Sequence, residues 1–220
     1  MTDRTVVYYT SNREAPAFEA KIQAALVRTC GDVPIVSVSQ QPITLGTNIC
    51  VGEVGHSVHN AWRQLQIGAE HATTPYICAA ESDYLYPPDY FTFRPPSDAI
   101  FYCPWPMYVL FAQTHRSGVF GLKPIGQEGA IVVGREFLLR RLATIYAGLP
   151  QWKDRPPGTR EPKRLQLCQT ITSARFPTAT ATVNFKTDAN LHQVTRYKRP
   201  LVNALPGWGS GEALLREYCA

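Results

Sequence analysis

The chain has 220 residues, 45% of them hydrophobic and 18% charged, which suits one well-buried globular domain. No run approaches the roughly 18 apolar residues that span a bilayer, so no membrane partner is expected. The net charge of +5 is uneven: residues 1–110 hold six Lys/Arg against ten Asp/Glu, and residues 111–220 sixteen against seven. That asymmetry points the second half toward something anionic, a nucleic acid or a nucleotide diphosphate.

In chain order, TVVYYT (5–10) is rich in β-branched and aromatic residues and reads as a buried strand. Residues 14–30 follow as an amphipathic helix with Phe18, Ile22, Ala25 and Leu26 on one face, stopped by Gly31-Asp32. VPIVSVSQ (33–40) is a second strand, and 41–57 a Gly-containing loop. A helix is expected over 57–72, with Val58, Trp62, Leu65 and Ala69 inward, and then a third strand, TPYICAA (74–80). Strand and helix alternating with short connections predicts an α/β fold with a mostly parallel sheet, whose ligands bind beyond the carboxyl ends of the strands.

The second half is less regular. DAIFYCPWPMYVLF (98–111) reads as one or two strands broken by Pro104 and Pro106. Residues 128–146 read as a short strand and a helix with Leu138, Leu142 and Ile145 inward. Residues 150–164 carry four prolines and five basic residues and read as a mobile loop or crossover. Residues 178–186 alternate like a strand, and 200–220 end in a short helix. The six cysteines are scattered with no CxxC pair, which suits free thiols in a reducing compartment.

The strongest chemical signal is Glu81-x-Asp83, directly after the third strand. In an extended segment residues i and i+2 point the same way, so two carboxylates converge above the sheet. Their repulsion and desolvation call for a divalent cation, and oxygen ligands suit Mg²⁺ or Mn²⁺. In NFKTDANLHQVTRYKR (184–199), Lys186 is placed to reach phosphates. Trp152, Lys153, Arg155, Arg160, Lys163 and Arg164 interleave aromatic and basic residues as a nucleic-acid-binding set.

The order of these features, YYTSN, then SVSQQP, then a helix bearing Asn60, Arg63 and Gln64, then ICAAESDYLYPPDYF, resembles a glycosyltransferase of the GT-A fold. It is also similar to small phage-encoded transferases that decorate hydroxymethylated pyrimidines in DNA. The resemblance implies a single GT-A-like domain, with residues 1–95 binding a nucleotide-sugar, expected to be a UDP-sugar, and 96–220 an irregular acceptor half. It implies Tyr9, Thr10, Ser11, Asn12, Arg13 and Gln40 around the nucleoside, Arg63 and Lys186 toward the diphosphate, and Asn60 and Glu81 also in the nucleotide-sugar site. The metal set it implies is Asp83, Glu81 and His192, with Asp83 the main ligand and Glu81 acting through the ribose or a water. Glu128 is the base it implies for the acceptor hydroxyl, although Gly129 stands where a second acid is usual. The expected acceptor is 5-hydroxymethylcytosine in double-stranded DNA, and the expected enzyme a monomer of the cytoplasm, of the host cytoplasm if viral. A saccharide or protein acceptor is the nearest alternative. A nucleotidyltransferase is disfavoured because YYTSNREAP lacks a Gly-rich phosphate loop, and a non-catalytic nucleic-acid-binding protein is the alternative of another class.

Overall fold

A computed structural model describes residues 2–112, 117–123, 129–153, 172–190 and 201–220. Its frame is the expected one. Strand β1 (Arg4–Thr10) leads to helix α1 (Pro16–Cys30), then β2 (Ile35–Ser39), β3 (Thr47–Cys50), α2 (Val58–His71) and β4 (Tyr76–Glu81). These four strands lie in the order β3-β2-β1-β4 and all are parallel. Beyond them come β5 (Tyr84–Leu85), α3 (Pro88–Thr92), β6 (Phe101–Phe111), β7 (Phe120–Leu122), β8 (Val132–Gly134), α4 (Arg135–Tyr146) and β9 (Ser173–Lys186). The chain ends in β10 (Leu201–Val202), β11 (Ala204–Leu205), β12 (Gly209–Ser210) and α5 (Gly211–Cys219). β8 joins β4 antiparallel, and β6 and β7 extend the sheet beyond it.

The alternation of β1 explains its place at the centre. Val7 and Tyr9 face one side, with Trp62 and Leu65 of α2 and Leu138 and Leu142 of α4. Val6 and Tyr8 face the other, with Leu26 of α1 and Tyr90 of α3. Each such side chain contributes about 1.5–3 kcal/mol when fully buried. Helix α1 ends at Gly31, whose φ of 59° is left-handed and whose N–H donates to Val27 O.

Four expectations change. The loop over 41–57 contains a strand, β3, because Asn48 donates to the hydroxyls of Ser37 and Ser39 and holds the segment against β2. Pro104 and Pro106 do not divide the 98–111 segment: β6 is one strand of 11 residues. The register between β6 and parallel β9 shifts between Trp105 and Met107, so no ladder donor is required of Pro106. Along α4, Tyr146 takes the last fully buried position and Ile145 is half-buried. The expected strand at 178–186 begins earlier, at Ser173. Among the described residues no helix is long and apolar enough to cross a membrane.

Helix α2 packs tightly on the sheet at Gly68. A Cβ there would run into Val7 Cγ1 and lie 3.3 Å from Val38 Cγ2. Gly68→Ala is therefore expected to destabilise the fold by about 1–3 kcal/mol despite the better helix propensity of Ala, as read by urea denaturation.

Candidate active site

The carboxyl ends of β1, β2 and β4 open on a cleft of about 150 Å³. Tyr9, Thr10, Ser11, Arg13, Gln40, Asn60, Glu81, Asp83 and Lys186 all line it, so most of the expected donor-site residues are brought together.

Several of them build the wall rather than offer free groups. Asn12 sits at φ 54°, and its Oδ1 accepts from the backbone N–H groups of Gln40 and Gln41, both at 2.9 Å, tying the loop after β1 to the end of β2. Gln40 donates to Gly55 O at 2.7 Å and accepts from Val54 N–H at 3.1 Å. Asn60 donates to Val54 O at 2.6 Å and accepts from Lys153 N–H at 2.8 Å. The amides of Gln40 and Asn60 are thus committed to folding segment 51–57 over the strand ends, and Asn12 to holding Gln40 in place. Arg13 is exposed at the rim.

Arg63 is a correction. It does not line the cleft. Its guanidinium lies 4.3 Å over the Tyr146 ring and donates to Gln66 Oε1 at 3.0 Å. Its position on α2 points it at α4, and the aromatic face there holds it by cation–π attraction. His192, Glu128, Arg155, Arg160, Lys163 and Arg164 lie outside the described residues. Trp152 is half-buried, and Lys153 is exposed with its carbonyl accepting from Ser57 Oγ at 2.8 Å. The basic segment therefore leaves from the rim of the cleft, at the start of α2.

The acidic pair is not extended as expected. Ser82 and Asp83 form a turn between β4 and β5. That turn carries Asp83 inward until it is 8% exposed. Asp83 Oδ2 accepts from Asn184 Nδ2 at 2.8 Å and from Asn190 Nδ2 at 2.6 Å. Burial raises the Asp83 carboxyl above the ordinary carboxylate range, opposed by the Lys186 charge and the Asn184 amide. Lys186 is 5% exposed and lines the cleft, and its ammonium has no hydrogen-bond or ion-pair partner among the described residues. A nearly buried cation left this way is suited to a ligand's negative charge.

The sequence reading missed Glu14, Asn184, Thr187 and Asn190. Asn184 and Asn190 stood in the same constellation as Lys186, which was the available signal. Glu14 lines the cleft and accepts from Thr187 Oγ1 at 2.9 Å. Burial, then the charge of Asp83, pushes the Glu14 carboxyl up to about 7.

The donor set suits an oxygen-preferring cation. Asp83 Oδ1 takes part in neither amide bond, because both amides take Oδ2. Asn184 Oδ1 is a buried carbonyl oxygen without a partner. Both are hard ligands of the kind Mg²⁺ and Mn²⁺ prefer, and the two amides orient the carboxylate as outer partners of a metal ligand do. Among the described residues no group of three His, Cys, Asp or Glu side chains is gathered for a metal, so further ligands would come from Glu81, water or the diphosphate.

The sequence matches no known protein family and no curated protein. Solved structures do share the fold. The S. aureus protein TarS, residues 1–349, superposes with a TM-score of 0.51 at 10% identity, over 84% of this chain and 60% of that one. The inositol-1-phosphate CTP transferase of T. maritima gives 0.50 at 10% identity, over 86% and 91%. The catalytic domain of Drosophila β1,4-galactosyltransferase 7, in complex with xylobiose, gives 0.42 at 14% identity, over 99% and 81%. The chain thus has the GT-A-type α/β fold, a frame shared by glycosyltransferases and nucleotidyltransferases.

The Glu14 shift has a consequence for stability. A folded pKa of about 7 against an ordinary 4.5 means that the folded state holds the proton more tightly. The Glu14 contribution is therefore full below the ordinary value and is lost as pH rises through about 7. Denaturation of the metal-free protein across this window should show that decline, and Glu14→Gln should flatten it.

Proposed function

We propose that this chain is a metal-dependent glycosyltransferase that moves a sugar from a UDP-sugar to a hydroxyl acceptor. The observation that carries the reading is Asp83: a nearly buried carboxylate with one oxygen oriented by two amides, beside a Lys186 ammonium that has no hydrogen-bond partner among the described residues, in a cleft at the strand ends. The absence of a Gly-rich phosphate loop after β1 favours it over the nucleotidyltransferases that share the fold.

In this reading Tyr9, Thr10 and Ser11 seat the nucleoside against the wall that Asn12, Gln40 and Asn60 build. Lys186 and Arg13 meet the diphosphate, and Asp83, Glu81 and His192 would hold Mn²⁺ or Mg²⁺. Such an ion, when bound, offsets the charge that develops on the departing diphosphate. The bond from the sugar C1 to the diphosphate oxygen breaks, and its electron pair leaves with the diphosphate. The acceptor oxygen bonds to C1, and in an inverting course Glu128 takes the hydroxyl proton.

The acceptor we propose is 5-hydroxymethylcytosine in double-stranded DNA. Support comes from the basic second half and from Trp152, Lys153, Arg155, Arg160, Lys163 and Arg164, a set in which the Lys153 backbone is bonded to Ser57 and Asn60 of the cleft lining. A cytoplasmic enzyme has access to such DNA.

The test is transfer itself. Protein, Mn²⁺, a panel of nucleotide-sugars and duplex DNA with or without hydroxymethylcytosine are incubated, and the digested nucleosides are weighed by mass spectrometry. A mass gain on the modified base that needs Mn²⁺ is expected. Asp83→Asn should lower turnover by at least about 100-fold, and Asn184→Ala by about 10–100-fold, both remaining folded. Donor hydrolysis without DNA transfer would move the acceptor to a saccharide or protein. DNA binding with neither transfer nor hydrolysis, unchanged in Asp83→Asn, would favour a non-catalytic nucleic-acid-binding protein.

A further inference from the structure

Strands β4 and β8 pair antiparallel as Tyr76 with Gly134, Ile77 with Val133 and Cys78 with Val132. Ala79 N–H continues the ladder to Ile131 O at 2.9 Å. The same register brings Glu81, the last residue of β4, opposite Gly129. That rung is not made directly. The hydroxyl of Tyr86 stands in it, accepting from Glu81 N–H at 2.9 Å and donating to Gly129 O. A side chain thus occupies a place that a backbone pair normally fills. The two strands are held apart at the edge of the cleft.

The gap is used. The Glu81 carboxylate lies flat against the Cα of Gly129, and a Cβ at 129 would come within 2.8 Å of both Glu81 Cδ and the Tyr84 ring edge. This explains why glycine stands where the resemblance leads one to expect a second acid: a side chain there would displace Glu81. The tyrosine itself is fixed from behind. Tyr86 is 3% exposed and stacks between Tyr84 and Tyr90, with ring centroids at 5.7 and 4.9 Å. Tyr90 lies one rung deeper on the same seam, beside the directly made Ala79–Ile131 rung rather than in it, its hydroxyl lying 2.7 Å from Ala79 O and 2.8 Å from Ile131 O.

We infer that Tyr86 and Gly129 are positioning residues: the inserted hydroxyl and the bare Cα together set where the Glu81 carboxylate stands in the cleft, and so set metal and donor binding. Tyr86 acts through Glu81 and touches no substrate. Because Gly129 opens β8's approach from the acceptor half, the same contact fixes the donor-site carboxylate to the acceptor side of the sheet. The inference rests on the transferase reading.

Tyr90 supplies a matched control. Tyr86→Phe and Tyr90→Phe each remove one buried hydroxyl from the same seam and keep the ring stack. Both are expected to lower the melting temperature to a similar extent. Tyr86→Phe should also weaken Mn²⁺ binding and lower kcat by about 10–100-fold, the usual effect of losing an outer partner of a metal site, measured well below the melting temperature. Tyr90→Phe should stay within about twofold of the wild type, the scale of a purely structural change away from the site. In a Glu81→Gln background Tyr86→Phe should add almost nothing, as a double-mutant cycle reads when one residue works through another. Gly129→Ala should reproduce the Tyr86→Phe loss, and if it does not fold the cycle still decides. An active wild type with Tyr86→Phe no worse than Tyr90→Phe, or with the Tyr86→Phe loss undiminished by Glu81→Gln, overturns the inference alone. A wild type that neither binds Mn²⁺ nor turns over any donor overturns the transferase reading, and the inference with it.

Discussion

The site depends on one constraint: a carboxylate that folding takes almost out of water must be given partners. Asp83 has lost most of its hydration, and a bare buried charge of that kind would raise its pKa and become protonated. Asn184 and Asn190 answer this with two amide donors on a single oxygen, and Lys186 adds a positive charge nearby. The solution is one-sided. Both amides take Oδ2 of Asp83, Asn184 Oδ1 is left without a partner among the described residues, and the Lys186 ammonium stands in the cleft wall. That asymmetry is the feature on which the proposed metal and diphosphate site rests.

The surrounding architecture follows from holding that turn in place. β4 must lie inside the sheet for its end to be buried, which the apolar run YICAA secures. β5 must meet β9 for Asn184 to reach back, and Tyr84 pairs with Asn184 there. Phe185 N–H closes the turn on Asp83 O at 2.8 Å. Segment 51–57 closes the opposite wall through side-chain amides, and these also pin Lys153. The wall formed by segment 51–57 and the root of the basic segment are therefore joined, and the acidic turn faces them across the cleft.

Much of the first half was legible in the sequence because its signals are local. β1, α1, β2, α2 and β4 each announce themselves by periodicity and stop residues, and the acidic motif is placed by the strand before it. What was not legible is long-range. Asn184 lies 101 positions from Asp83, and asparagines in a polar segment ordinarily read as turn formers. Arg63 was misplaced because helical spacing puts it on a face but does not tell which neighbour that face meets; Tyr146 of α4 decided it. Pro104 and Pro106 read as strand breakers because the shift in the partner strand that tolerates them lies more than 70 residues away. Gly129 was visible as a departure from the pattern that the resemblance implies, but its reason, the Glu81 carboxylate against its Cα, exists only in three dimensions.

The central claim is that Asp83 binds a nucleotide diphosphate through a divalent cation. Calorimetric titration of UDP into the protein with and without Mn²⁺, for the wild type and Asp83→Asn, tests it most directly. The account predicts saturable UDP binding that needs Mn²⁺ and disappears in Asp83→Asn, with the melting temperature little changed. UDP binding of equal strength without metal, or undiminished by Asp83→Asn, would contradict it and leave Lys186 and the cleft wall as the whole of the diphosphate site.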